Sequence, residues 1–490
     1  MHNKIKVYIK ILGILTLIEG IFMLACTLVA CNFKEWNTAN GFFTIGVICC
    51  CIGFVTLTQL RFDKIHLKSH EGFFVSFICW VYCSILASLP FYFSGNDYSF
   101  ISCFFEASAG FSTTGCFVFD INLLPKSLIL WQATCNWLGG MGILILVVSI
   151  FPALGINGQS IASAEATGPT IEKIGGKFSD TGKILYTIYV AFSVVEFLLL
   201  WAGPFGWYDA LVNTFTSIST AGLVVTKSNI DYFSSLHVRS IVLIFTLLSS
   251  LNYTLFFFMV KRNFKPIKKN IEVKVLGLII IVSTLLIALS LRISGTYTSM
   301  WQAIQDGLCQ VVSFVSTSGY FVCDYTKWPT FTIVILFSLL FVGGCSMSTS
   351  GSLKVIRIIV FMKLIKRGIF KQVHPNSVKA VVVEGKAVPA NKVSNITTHI
   401  ILYFAIIFLS ILILSMDNFD METTITTVLG LFSNTGLALG EVGCSGYFGM
   451  YSQLSQLYMS FLMIAGRLEI YAVLLVFTRT FWKVDLAKSV

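Results

Sequence analysis

Four short stretches interrupt an apolar chain with the same chemistry. FSTTGCF occupies 111–117, and STAGLV, STSGYF and SNTGLA begin at Ser219, Ser316 and Ser433. Each sets hydroxyl or amide side chains beside one glycine, at Gly115, Gly222, Gly319 and Gly436. Backbone carbonyls and hydroxyls are oxygen donors that can replace the water around a cation, and glycine permits the dihedrals that aim carbonyls at a common axis. One copy alone reads as an ordinary turn or a small-residue helix contact. Four copies, with glycines 107, 97 and 117 residues apart, read as a unit used four times.

The elements that must position these loops are legible in the apolar runs. The chain is 490 residues long and 56% hydrophobic with only 12% charged residues, at a mean hydropathy of +0.83, which excludes an ordinary soluble domain. Its apolar runs are about 20 residues long, enough for a helix to cross a bilayer. The fold class expected is therefore an all-α polytopic membrane protein. Two spans, at 8–30 and 40–60, precede the repeats. Each repeat then has a first span, a short helix, the Ser/Thr/Gly loop and a second span. The paired spans are 72–93 and 127–152, 184–203 and 238–260, 275–293 and 329–361, and 399–416 and 453–480. The boundaries drawn are a two-span unit at 1–71, repeats at 72–160, 161–270 and 271–372, a connector at 373–398, and a fourth repeat with its tail at 399–490. Non-helical backbone at membrane depth is tolerated where it lines water or is buried in protein, so four such loops are expected to surround one pore.

The net charge of +11 is carried in loops rather than in a nucleic-acid-binding patch. KRNFKPIKKNIEVK (261–274), the segment from Lys354 to Lys392 and the tail from Arg479 are basic, and they fall on one side with both termini. The positive-inside rule makes that side the cytoplasm. The loops enter from the opposite face, flanked by acids such as Asp97, Asp306 and Glu441, which would concentrate cations. The segment 374–393, with valines around Glu384-Gly385, predicts a small hairpin. LVAC at Leu28–Cys31 resembles a lipoprotein cleavage box, but no soluble domain follows, so an uncleaved first span is expected.

Fourteen cysteines contain no CxxC, which leaves zinc and thioredoxin-type sites without support. Cys103, Cys116, Cys323 and Cys444 are placed in outer loops, where a disulfide is an alternative to small apolar packing. No HExxH, GxSxG, phosphate-loop or dinucleotide motif occurs, so no enzyme and no bound cofactor are expected. Arg467 lies within an apolar span, where a charge points to function with a nearby partner. Glu469, two residues on, does not share its helix face. Glu19 and Glu196 read as buried hydrogen-bonding acids.

The four loop units, NWLGGMGILIL at 136–146, GGCSMSTSGSLKVIR at 343–357, HPNSV at 374–378 and AGRLE at 465–469 together resemble the TrkH/KtrB/HKT superfamily of potassium transporters, closest to its TrkH branch, over essentially the whole chain. The resemblance implies a pseudo-fourfold arrangement of four repeats around a central pore. It implies a potassium filter at Thr113, Thr114 and Gly115; Thr220, Ala221 and Gly222; Thr317, Ser318 and Gly319; and Asn434, Thr435 and Gly436. A serine at the first filter position accompanies sodium preference in related plant transporters, so Gly115 argues for potassium over a sodium-permeable or sodium-coupled member. Cys116, Leu223, Tyr320 and Leu437 follow the glycines in place of the GYG of potassium channels, which implies a shorter filter. Gly343, Gly344, Ser346, Ser348, Thr349, Ser350 and Gly351 match an intramembrane gate loop, in which Met347 and Ser352 stand where glycine is common. Arg467 matches a pore arginine below the filter. The resemblance further implies a homodimer in the plasma membrane, potassium as the cargo, and a cytosolic nucleotide-binding regulator of the TrkA type. The ion-conducting subunit of an ATP-driven pump is the alternative in which a partner supplies the energy.

Overall fold

The computed structural model describes residues 2–60, 65–66, 69–95, 97–142, 156–157, 178–222, 233, 235–377, 379–443, 447–468 and 470–476. Helices account for most of them. Among the described residues six helices are long and apolar enough to cross a membrane: Ile5–Asn32, Trp36–Gln59, Glu71–Tyr92, Gly182–Trp201, Ile271–Ile293 and Ala390–Asp417. A bent pair makes a seventh.

We label the helices in chain order. α1 (His2–Asn32) and α2 (Trp36–Gln59) form a close hairpin. Small residues permit it: a Cβ on Gly53 would stand 2.6 Å from the Leu17 Cβ. Then come α3 (Ser69–Tyr92), α4 (Phe100–Phe111) and α5 (Lys126–Gly140), followed by α6 (Phe178–Trp201), α7 (Trp207–Ile218), α8 (Leu236–Ser250) and α9 (Tyr253–Val260). The third set is α10 (Ile271–Ile293), α11 (Met300–Ser316), α12 (Thr330–Leu339) and α13 (Val355–Val373). The fourth is α14 (Ala390–Leu414), α15 (Met421–Phe432), α16 (Gln453–Leu468) and α17 (Ile470–Val476). Each short helix (α4, α7, α11, α15) packs on the long helix before it. α5 also packs on α7, α8 on α11, and α16 back on α4, so successive units are interlocked.

The long helices are apolar on both faces, as lipid-facing helices must be. In α10, Leu276, Ile280 and Ile287 are buried while Leu278, Ile281 and Leu285 are exposed. Caps follow local chemistry: Ser99 starts α4, Asn270 starts α10 and Asp420 starts α15, each side chain accepting a backbone N–H of the first turn.

Most expected spans coincide with helices. The expected 127–152 span is α5 to Gly140, and its residues after 142 lie outside the described residues. One expectation fails: 238–260 is not one straight span but α8 and α9, bent by 97°. Neither Gly nor Pro causes the bend. Leu251 and Asn252 leave the helix, Tyr253 N–H donates to the Met347 carbonyl at 3.2 Å, and Asn252 Oδ1 accepts from Thr254 N–H at 2.9 Å. The hairpin forms as expected, Val382–Val383 pairing antiparallel with Lys386–Ala387. Glu384 and Gly385 at its tip both have positive φ, the type I′ signature. Among the described residues no cysteine is in a disulfide, and Cys103 is buried inside α4 rather than in a loop; Cys444 lies outside them.

Because Asn252 caps α9 at the bend, Asn252→Ala should destabilise the chain by about 1 kcal/mol. Thermal unfolding in detergent measures this as a lowered midpoint against the native chain.

Candidate functional site

The four short helices end alike, and the four Ser/Thr/Gly loops are those ends. In loop 1 the Thr113 N–H donates to the Gly110 carbonyl and the Thr114 N–H to the Ala109 carbonyl, both at 3.0 Å. Loop 2 repeats this with Thr220 to Ser217 and Ala221 to Thr216, loop 3 with Thr317 to Phe314 and Ser318 to Ser313, and loop 4 with Asn434 to Leu431 and Thr435 to Gly430. Each is a complete Schellman ending, which normally places glycine at the left-handed residue. Here Thr113, Thr220, Thr317 and Asn434 hold that position, with φ of 56°, 56°, 58° and 58°. A β-branched residue in that region is strained, and such strain persists only where surrounding structure imposes it.

Two residues later each loop turns left-handed again at its glycine: Gly115, Gly222, Gly319 and Gly436 have φ of 67°, 72°, 72° and 73°. Sequence reasoning assigned the unusual dihedral to the glycines and missed its partner two residues earlier. Nothing in the residue types signals it, because threonine disfavours that conformation.

The loops are mutually packed. A Cβ on Gly222 would lie 1.6 Å from the Ser318 carbonyl oxygen, on Gly319 2.2 Å from that of Thr435, and on Gly436 2.1 Å from that of Thr114. Thus the glycines of loops 2, 3 and 4 each rest on the carbonyl preceding the glycine of the next loop, loop 4 closing onto loop 1. Loop 2 meets the end of α5, where a Cβ on Gly140 would lie 2.8 Å from the Ser219 Cβ. Side chains brace the set. Asn434 Nδ2 donates to Thr114 Oγ1 at 3.2 Å and to the Met463 carbonyl at 2.9 Å. Tyr325 Oη donates to the Ala438 carbonyl at 2.9 Å, and Thr216 and Tyr320 hydroxyls lie 2.7 Å apart. The buried Glu106 side chain accepts Val118 N–H at 2.9 Å, fixing the backbone that leaves loop 1. All four helices direct their carbonyl ends, the negative end of the dipole, at these loops.

Beside the loops runs the irregular segment between α12 and α13. Gly343, Met347, Ser352 and Lys354 have positive φ there. Met347 and Ser352 thus occupy, under strain, places suited to glycine. Gly344, Ser346, Ser348, Thr349, Ser350 and Gly351 lie in the same segment and are buried, while Met347 and Ser352 are half-buried. It bonds the open turn of α8: Cys345 N–H to the Ser250 carbonyl at 2.9 Å and Thr349 N–H to the Ser249 carbonyl at 3.3 Å. It also bonds the four-loop cluster, with Gly351 N–H to Thr317 Oγ1 at 2.8 Å and Thr220 Oγ1 to Thr349 Oγ1 at 3.3 Å.

Arg467 is buried and binds backbone carbonyls: Thr349 in this segment, and Gly139 (2.8 Å) and Gly140 at the end of α5. The expected partner is therefore the segment itself; the Glu469 side chain lies outside the described residues. Glu272 and Lys354 were counted among loop charges, and the structure corrects this. Both are buried, Lys354 with 2% exposure. Glu272 accepts Ser346 N–H at 2.6 Å, and Lys354 Nζ donates to the Ser350 carbonyl and to Ser348 Oγ (3.2 Å). Asp306, expected at an open acidic mouth, is buried and paired with Arg239 at 2.8 Å. Glu196 accepts Ser217 Oγ at 2.5 Å as anticipated, and Glu19 is buried beside the Cys83 thiol.

Six helices long and apolar enough to cross a membrane, with four like loops packed on one another, define the class as a helical membrane protein. The chain matches the TrkH family, described as cation transport protein, over residues 39–483, and it belongs to that family. It is 30% identical to the Trk system potassium uptake protein TrkH of Halomonas elongata, over 98% of this chain and all of that one. It is 31% identical to the Vibrio parahaemolyticus protein of the same name, over 97% of this chain and 99% of the other. The solved crystal structure of the potassium transporter TrkH from Vibrio parahaemolyticus superposes with a TM-score of 0.86 at 29% identity, covering 98% of this chain and 99% of that one.

Because the missing Cβ of Gly222 leaves room for the Ser318 carbonyl, Gly222→Ala should separate loops 2 and 3. The expected result is a lowered unfolding midpoint in detergent together with a loss of rubidium uptake in proteoliposomes of at least about tenfold, a change of about 1.4 kcal/mol in barrier.

Proposed function

We propose that this chain takes up potassium across the plasma membrane. Four repeats arranged pseudo-fourfold would place loops 1 to 4 around one pore, with carbonyls of Thr113, Thr114 and Gly115 and their counterparts in the other loops exchanging for the ion's water. One observation carries the reading: all four loops share the same pair of left-handed residues, and three of their glycines rest on the next loop's carbonyl. Such a set presents repeated backbone oxygens in a dry setting, held by strain rather than by side-chain charge. The names of the relatives, potassium uptake proteins, support potassium as the cargo.

The segment 343–354 serves as the gate, and Arg467 holds it against the end of α5. The termini and the hairpin face the cytoplasm, so the inside-negative potential favours uptake by about 2.3 kcal/mol per charge per 100 mV. The Trk system name of the relatives supports a multi-component assembly, in which a cytosolic nucleotide-binding regulator of the TrkA type controls a homodimer of this chain.

Rubidium and sodium uptake into proteoliposomes, driven by a fixed diffusion potential, tests this. Native protein should pass rubidium in preference to sodium, and Gly115→Ser should raise sodium passage several-fold. Equal rubidium and sodium uptake by the native chain would replace potassium with sodium as the cargo.

A further inference from the structure

Three consecutive carbonyls of the gate turn are each taken by a cation belonging to the protein. The Ser348 carbonyl faces Lys354 Nζ at 3.5 Å, the Thr349 carbonyl accepts from Arg467, and the Ser350 carbonyl accepts from Lys354. Ser348 Oγ adds a fourth oxygen at 3.2 Å from the same ammonium. The ligands are backbone carbonyls and a hydroxyl, the donor set of the four loops. They lie beside those loops, since Thr349 and Gly351 of this turn bond Thr220 and Thr317.

We propose that the turn Ser348–Ser350 is a monovalent-cation site in its own right, in which the Lys354 ammonium occupies the place that a permeating potassium ion takes when the gate opens. This rests on the filter-and-gate reading above and assigns a ligand to the gate itself. An ammonium group and a potassium ion carry the same charge, are of similar size and accept the same oxygen donors. The tethered cation is therefore a competitor of the free one.

Several features fit competition better than a structural brace. Lys354 is fully buried and its backbone is left-handed at φ 71°, so its placement is held against both desolvation and strain. Glu272 feels the Lys354 charge and accepts Ser346 N–H at 2.6 Å. Arg467 and Lys354 bring two positive charges to this turn, and both oppose a further cation while Lys354 is seated. Ser350 Oγ is buried and among the described residues has no hydrogen-bond partner, which leaves a further oxygen of the same segment that a small mobile ion could take up. Withdrawal of Lys354 would leave an oxygen-lined turn directly below the loops, and arrival of potassium would favour that withdrawal. Potassium would then promote its own passage.

The test uses the full purified chain, with Lys354→Met removing the charge at similar length and Lys354→Arg keeping it. Unfolding midpoints in detergent are measured against potassium concentration, and rubidium uptake is measured in liposomes without any partner protein. The expected result for Lys354→Met is a potassium-dependent rise in midpoint several degrees larger than in the native chain, with rubidium uptake raised about tenfold. Lys354→Arg should behave as native. If the methionine variant does not fold, Lys354→Gln, which keeps a donor for the Ser350 carbonyl without the charge, is read in the same way. A potassium response and an uptake unchanged from native in the neutral variant would overturn the proposal. The rubidium-over-sodium preference of the native chain tests the filter reading separately, because it can fail while the difference in potassium-dependent unfolding remains.

Discussion

The constraint that organises this molecule is the obligation of every backbone N–H and C=O at membrane depth to find a partner. Four helices stop inside the structure rather than crossing it, and each stop leaves carbonyls that no following turn can satisfy. The solution is the same in all four: a Schellman ending whose left-handed residue is threonine or asparagine instead of glycine. The strain at Thr113, Thr220 and Thr317 is tolerable because the hydroxyls and amides around it are themselves engaged, as with Gly351 N–H on Thr317 and Asn434 on Thr114. The same obligation explains the two broken spans. Where α8 opens at Leu251-Asn252, the carbonyls of Ser249 and Ser250 are released and taken by Thr349 and Cys345 of the neighbouring break. Each interruption supplies the partners that the other lacks.

What was legible in the sequence follows from this. Span lengths and the four-unit period are properties of apolar runs and of Gly115, Gly222, Gly319 and Gly436, so both could be read directly. The break after Leu339 was legible because GGCSMSTSG is unsuited to a helix. The bend at Leu251-Asn252 was not, because its cause is tertiary: Tyr253 gives its N–H to Met347, nearly a hundred residues away. Glu272 and Lys354 were misplaced for the same reason. Counting charges near span ends assumes that they reach water, and only the packing of α10 against α13 shows that they do not.

The buried ionisable groups have a common use. Arg467 binds three carbonyls, Lys354 binds carbonyls and a hydroxyl, Glu272 accepts one N–H from the 343–354 segment and Glu106 accepts one from Val118 after loop 1. Charge-assisted bonds are stronger than neutral ones, so Arg467 and Lys354 can each fix a stretch of irregular backbone that has no ladder of its own. The pair Arg239–Asp306, on α8 and α11, is the contrasting case of charge held by charge. It ties two helices, whereas the others tie loops.

That distinction gives the hairpin a mechanical place. Glu384 at its tip accepts the N–H of Ile271 at 2.7 Å, the first residue of α10, and the next residue, Glu272, accepts Ser346 N–H. Lys363 of α13 donates to the Val382 carbonyl at 2.7 Å, and Lys379 lies 3.7 Å above the Phe370 ring of the same helix. The hairpin therefore grips both the start of α10, whose Glu272 bonds the 343–354 segment, and the flank of α13, into which that segment runs. Adjacent residues of one helical turn cannot shift independently. A displacement of the hairpin that carries Ile271 must also carry Glu272, and through it the amide of Ser346. The route from the hairpin to the 343–354 segment is thus two carboxyl–amide hydrogen bonds separated by a single peptide unit, with little side-chain freedom between them.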